Sequence, residues 1–212
     1  MHYQIQSGPL AMAPSQLGLF AKSCESVETP DLEYHVQPLS LDSFNEPMHN
    51  FPGLTASVCN LRPTSRGSVS LTSPDVLKKP DIDPNYLNTE NDKAVAANSL
   101  KLTRKILQAR SFQHYEPEEY FPGKEIQTDE ELTRAAGNIA TSIFHPVGTC
   151  KMGKESDTMA VVDPRLRLYK HTGIRIVDAS IMPTITSGNT NSPTVMIAEK
   201  AADMILQDNQ AS

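Results

Sequence analysis

Apolar and polar positions change period several times along the chain, and each change marks an element. In "LEYHVQPLSL", Leu32 to Leu41, they alternate with the two-residue period of a half-buried strand. The same period returns over Leu54–Leu61 and Gly67–Leu71, predicting two more strands joined across "RPTSRG". From Asp92 to Arg110 the period lengthens, and Val95, Leu102, Ile106 and Ala109 fall on one face of a helix. A second helix opens after Thr128, with Glu131 completing a capping box and Leu132, Ala135, Ile139 and Ile143 as its buried stripe. It should end near His145, because Pro146 disfavours helical backbone in the residue before it. A short strand over Ile174–Ser180 and a last helix close the pattern. Ser192 is its expected N-cap and Pro193 its first-turn residue, with Val195, Ala198, Ala202 and Ile205 facing inward. Residues 1–30 and "KKPDIDPNYL" read as loops, rich in Pro with Ser, Gly or Asp. Strands gathered early and flanked by helices predict an α+β fold, a largely antiparallel sheet backed by helices.

Composition narrows the function. The chain has 212 residues and a net charge of −6, which argues against a nucleic-acid surface or a polybasic membrane patch. No apolar run reaches the length of a spanning helix, and the first residues lack the basic and apolar blocks of a signal peptide. Cys24, Cys59 and Cys150 are odd in number and widely spaced, which predicts free thiols in a reducing, cytoplasmic setting. Linear spacing pairs no histidine with a cysteine or carboxylate at a metal-ligand interval, so no metal is expected. The stretch "GPLAMAPSQLGLF" has no element before it to complete, and predicts a piece of a longer protein.

Two segments carry candidate chemistry. In "SIFHPVGTCKMG", His145 sits at an expected helix end, stiffened by Pro146 and followed by small residues that permit close approach. A histidine there is either satisfied by solvent and the helix dipole or placed as an acid–base group. In "VDASIMPTITSGNTNSPTVMIAEKAADMIL", Asp178 ends the expected strand, and Asn189 and Asn191 precede a capped helix. Helix N-termini stabilise negative charge, though Asn189 and Ser192 equally suit plain turn and cap roles. His35 and His49 are candidates for the substrate side. Arg66 and Gly67 read as structural, Cys150 as a packing residue and "EPEEYF" as a solvated loop.

Together, "NLRPTSRGSVSL", "HPVGTCKMG" and "VVDPRLRLYKHTGIRIVDASIMPTITSGNTNSPTVMIAEKAADMIL" resemble the C-terminal half of a glucose–methanol–choline (GMC) oxidoreductase, in its choline-dehydrogenase-like branch. The likeness runs over nearly the whole chain. It implies a substrate-binding domain over 1–144, and a catalytic loop with the closing strand–helix piece of the FAD-binding domain over 145–212. It implies FAD as cofactor and a small primary alcohol as substrate, with removal of the hydroxyl proton and hydride transfer to flavin N5. His145 takes the family's active-site histidine position and Asn191 the second one. Asp178 and Ala179 would lie along the pyrophosphate and ribityl side, and Asn191, Pro193 and Thr194 beside the isoalloxazine. The G-x-G-x-x-G flavin fingerprint has no counterpart here, since no GxG occurs. The N-terminal Rossmann half is therefore expected as a missing partner, and a non-catalytic fragment unable to hold FAD alone is the alternative. Quinone-linked members would add a peripheral membrane location.

Overall fold

The computed structural model describes residues 13, 15–43 and 46–210. Its strands are β1 (Leu17–Ala21), β2 (Leu32–Gln37), β3 (Thr55–Asn60), β4 (Ser68–Ser70) and β5 (Asp81–Asp83). Its α-helices are α1 (Glu90–Leu107), α2 (Asp129–Ile139) and α3 (Asn191–Gln210), with short 3-10 turns at Arg110–Tyr115 and Ala179–Ile181. The expected α+β class, with antiparallel sheets and helices, is what forms. The chain folds as two compact units: the described residues up to Asn60 with Lys93–Ile139, and Leu61–Asp92 with the described residues from Ala140. The segment 61–92 thus groups with the C-terminal residues.

In the first unit β1, β2 and β3 form an antiparallel sheet in that order, with Tyr34 opposite Leu19 and Val58. The two-residue period sends Leu32 and Tyr34 to one face, where Val95, Leu102 and Ile106 of α1 pack with Ala21, Ala56 and Val58. Burying each such aliphatic side chain contributes roughly 1.5–3 kcal/mol. The Tyr34 hydroxyl is buried only because it has partners, donating to the Ser99 carbonyl at 3.1 Å and accepting from Thr103 Oγ1 at 3.2 Å. Three of the four α1 stripe residues pack as expected; Ala109 lies beyond the helix end and is exposed. The loop after α1 is tied down by Arg104, which pairs with Glu119 through two bonds of 2.7 and 2.8 Å. The acidic "EPEEYF" segment is therefore partly anchored rather than wholly solvated.

Several expectations need correction. β1 falls within the stretch read as loop, and β5 within the Pro/Asp stretch. The capping box on α2 forms, with Thr128 N donating to Glu131 Oε2 at 3.0 Å and Glu131 N to Thr128 Oγ1 at 3.3 Å. The helix nevertheless stops at Ile139, leaving Ile143 outside it and His145 in irregular chain. Gly137 and Asn138 are poor helix formers, and Phe144 adopts a left-handed φ of 64° that no helix accommodates.

The second unit buries Val162, Leu166, Ile181, Met182, Ile197 and Ala201. The strand expected over Ile174–Ser180 does not form: Arg175 bridges Arg167, and a 3-10 turn starts at Ala179. Asp178 starts that turn by accepting the Ser180 N–H at 2.8 Å, the local bonding with which aspartate competes against a ladder. α3 begins at Asn191, and the Thr190 carbonyl accepts the first helical bond from Thr194 N at 3.0 Å. Thr190, rather than Ser192, is thus the N-cap. The buried face of α3 is Ile197 and Ala201, while Val195 and Ile205 of the expected stripe are 54% and 38% exposed.

Candidate active site

His145 is half-buried, and the loop after it is fixed by backbone bonds to the turn at 179–182. Cys150 N donates to the Ser180 carbonyl at 3.0 Å, and Met152 N to the Ile181 carbonyl at 2.8 Å. Gly148 permits this contact: its φ is +91°, and a Cβ there would stand 3.3 Å from the Met182 carbonyl oxygen. The small residues after the histidine thus serve close approach.

Two side chains hold the imidazole. Asn189 Nδ2 lies 2.9 Å from His145 Nε2, and Thr190 Oγ1 lies 2.9 Å from Nδ1. With the amide nitrogen facing the ring, Nε2 accepts, so the neutral ring carries its proton on Nδ1 and donates it to Thr190. Thr190 is buried and Asn189 exposed. One nitrogen is therefore anchored inside the fold and the other, with its lone pair, meets an exchangeable surface amide. The arrangement can receive a proton at a fixed position.

The other expected site residues are placed as follows. Asn191 opens α3 two residues beyond the amide that reaches the ring, so the structure brings Asn189, not Asn191, to His145. Asp178 is exposed beside half-buried Ala179, its carboxylate also accepting from the Ser180 hydroxyl. Pro193 sits in the first turn of α3, where its missing N–H costs nothing. The Thr194 hydroxyl is committed to the Thr190 carbonyl at 2.7 Å. Thr190 is the neighbour of His145 that the sequence reading did not single out; its place at the helix cap was the available signal.

Thr186 Oγ1, in the loop between Asp178 and α3, is buried and has no hydrogen-bond partner among the described residues. The exposed first turn at Asn191 and Ser192 presents helix N–H groups at the positive end of the dipole. A flavin, rich in carbonyl and ribityl oxygens, suits this set of donors. Among the described residues no helix is long and apolar enough to cross a membrane.

The sequence model of the GMC oxidoreductase family matches residues 63–198. The chain belongs to the GMC oxidoreductase family. It is 42% identical over 187 residues to an oxygen-dependent choline dehydrogenase of Brucella ovis, covering 88% of this chain and 34% of that protein. It is 39% identical over 202 residues to an alcohol dehydrogenase [acceptor] of Pseudomonas putida, covering 95% of this chain and 36% of that one. Among solved structures it is similar to pyridoxine 4-oxidase from Mesorbium loti, with a TM-score of 0.78 and 28% identity over 88% of this chain and 36% of that one. Members of the family are FAD-dependent. The chain spans about a third of the length of the curated relatives it matches.

Proposed function

We propose that this chain supplies the acid–base group and the flavin-facing helix end of an FAD-dependent oxidoreductase acting on a small primary alcohol. The observation that carries the reading is the His145 ring, held at Nδ1 by buried Thr190 and met at Nε2 by exposed Asn189. A substrate hydroxyl that displaces the amide from Nε2 gives its proton to that nitrogen. Thr190 keeps the Nδ1 proton, and so the ring's orientation, in both charge states. The Asn189 amide then donates to the substrate oxygen as negative charge grows there, so its hydrogen bond strengthens towards the transition state. Asn189 thereby takes the role that the family resemblance gave to Asn191.

Asp178, Ala179, Asn191, Pro193 and Thr194 are the residues of this chain that would hold FAD, which when bound supplies the hydride acceptor. Asp178 offers a carboxylate to ribityl hydroxyls, and Ala179 leaves room for backbone approach. Asn191 and the opening of α3 favour negative charge through unspent N–H groups, and Pro193 and Thr194 shape that turn. On this reading residues 145–212 form the catalytic and flavin-side segment and 1–144 the substrate-binding part. A second reading is favoured by the exposed apolar side of α3, with Val195, Met196 and Leu206 each more than half exposed. Here the chain folds but retains no FAD until a dinucleotide-binding partner covers that side.

The test is His145→Ala in a flavin-loaded enzyme completed with a dinucleotide-binding half. Alcohol oxidation should slow by roughly two to four powers of ten, the range for loss of a general acid–base group, with flavin content unchanged. Near-normal turnover across the pH range would remove His145 from the mechanism.

A further inference from the structure

The loop that joins β4 to β5 holds apolar side chains out in water. Leu71, Val76 and Leu77 are 87%, 93% and 88% exposed, more than any other large apolar side chain among the described residues. One exposed leucine on a surface is ordinary, but three on one short loop mark a place of contact. None of them belongs to the His145 site.

The loop is built rather than loose. Thr72 Oγ1 donates to the Lys79 carbonyl at 3.1 Å and closes its neck. Within it, the Asp75 carboxylate accepts Leu77 N at 3.0 Å and the Asp75 carbonyl accepts Lys78 N at 3.0 Å. Ser73 Oγ accepts Asp75 N at 3.1 Å, and Pro74 and Pro80 have no N–H to satisfy. Much of the backbone around the apolar side chains therefore does without water, which is the condition for entering a lipid phase. Charge is layered along the same hairpin. Lys78 and Lys79 directly follow the apolar tip, both exposed and without an ion-pair partner among the described residues. Asp81 and Asp83 lie beyond them on β5, and Asp75 spends its carboxylate on the turn. Apolar, basic and acidic residues in that order match acyl chain, headgroup phosphate and water.

We propose that loop 71–80 docks the protein on a lipid bilayer, with Leu71, Val76 and Leu77 at the boundary of headgroups and acyl chains and Lys78 and Lys79 on lipid phosphates. Two lysines in a chain of net charge −6 cannot carry the contact by attraction alone. Apolar insertion carries it, and the lysines set its depth. A protein partner covering the loop would instead bury two lysines, a residue type depleted from interface cores.

The chain has no tryptophan, so Leu77→Trp puts a single reporter in the tip and Ser68→Trp one at the base of the hairpin, opposite Asp83. With vesicles of phosphatidylcholine and phosphatidylserine, Leu77→Trp emission should shift to the blue and be quenched by lipids brominated on the acyl chains. Ser68→Trp emission should do neither. In flotation assays the wild-type chain should rise with these vesicles, and Val76→Asp/Leu77→Asp should stay in solution with unchanged circular dichroism. Lys78→Ser/Lys79→Ser should weaken binding about fivefold per lysine, and only where the anionic lipid is present. Val195→Asp/Ile205→Asp, on the exposed side of α3, should float as wild type does; loss of flotation there, with the loop variants unaffected, would move the contact to α3 and overturn the proposal. Absence of wild-type flotation, or Leu77→Trp emission indifferent to vesicles, would do the same. So would flotation lost on completing the chain with a dinucleotide-binding half, which would assign the loop to that half.

Discussion

An asparagine before a helix cap and one in the first helical turn have different duties. Asn189 places its amide on the imidazole from an exposed loop, whereas Asn191 contributes backbone to the start of α3. Asn189→Ala in a flavin-loaded enzyme should therefore lower turnover by roughly a hundredfold, as loss of an oxyanion donor does, with a smaller change in KM. Asn191→Ala should keep turnover within a few-fold. The reverse ranking in flavin-matched samples would return the role to Asn191. Cysteine chemistry separates in the same residue-by-residue way. Burial, then the Glu33 charge, pushes the Cys59 thiol up to about 11, while the Ser26 hydroxyl and N–H hold exposed Cys24 below the usual thiol range. Brief alkylation near neutral pH followed by peptide mapping should find Cys24 modified well before Cys59. The sequence singles out His145 by its proline and small neighbours. Its partners were not legible, because the loop from 183 to 190 has no period from which a contact with residue 145, more than forty positions away, can be read.

Turns and caps carry the element scale, and there the landmark "RPTSRG" finds its physical reason. The Asp92 carboxylate accepts Thr64 N at 2.9 Å, Thr64 Oγ1 at 3.0 Å and Ser65 N at 2.8 Å, pinning the turn to the first turn of α1. Burial alone would raise the pKa of Asp92, but the hydrogen bonds from Ser65 and Thr64 outweigh it and hold the carboxyl below its usual value. Its folded pKa is thus depressed, so its stabilisation is complete above the unfolded value of about 4 and fades as pH falls through the folded one. Urea unfolding of wild type and Asp92→Asn should show a stability gap at pH 7 that narrows below roughly pH 4; a gap independent of pH would contradict the assignment. Gly67 completes the turn: a Cβ there would lie 2.1 Å from the Asp83 carbonyl oxygen. Gly67→Ala should accordingly cost about 1–3 kcal/mol, measured as a lowered urea midpoint, because β4 and β5 must separate. Long, strongly periodic elements such as α1 and β2 were readable because one face of each is buried against a core. β1, with Gly18 interrupting it, and β5, only Asp81–Asp83, lack the length that makes alternation visible. α2 ends at Ile139, just past the poor helix formers Gly137 and Asn138, rather than at the proline that the sequence reading relied on.

At the scale of the whole molecule, α3 leaves apolar surface uncovered, since it is hydrophobic on two sides and buries one. Ile197 and Ala201 lie in the core, and Arg165 and Arg175 fasten the far end of the helix through Asp208. Val195, Met196, Ile205 and Leu206 remain 38–59% exposed on the other positions. Reading one stripe from the sequence failed because both sides satisfy a helical period, and only the tertiary fold chooses which is covered first. On the function proposed above, a dinucleotide-binding half covers the second side. The two sides then predict opposite outcomes for the same chemical change. Ile197→Asp places an unpaired charge in the core and should abolish cooperative unfolding of the purified chain, seen by circular dichroism. A Val195→Asp/Ile205→Asp double variant should leave the isolated chain's melting unchanged. When co-expressed with a relative's dinucleotide-binding half, wild type should co-purify with it and show flavin absorbance, while the double variant should be colourless and alone. Retention of flavin by the isolated wild-type chain would show that no such cover is needed, and normal pairing by the double variant would place the contact elsewhere on the molecule.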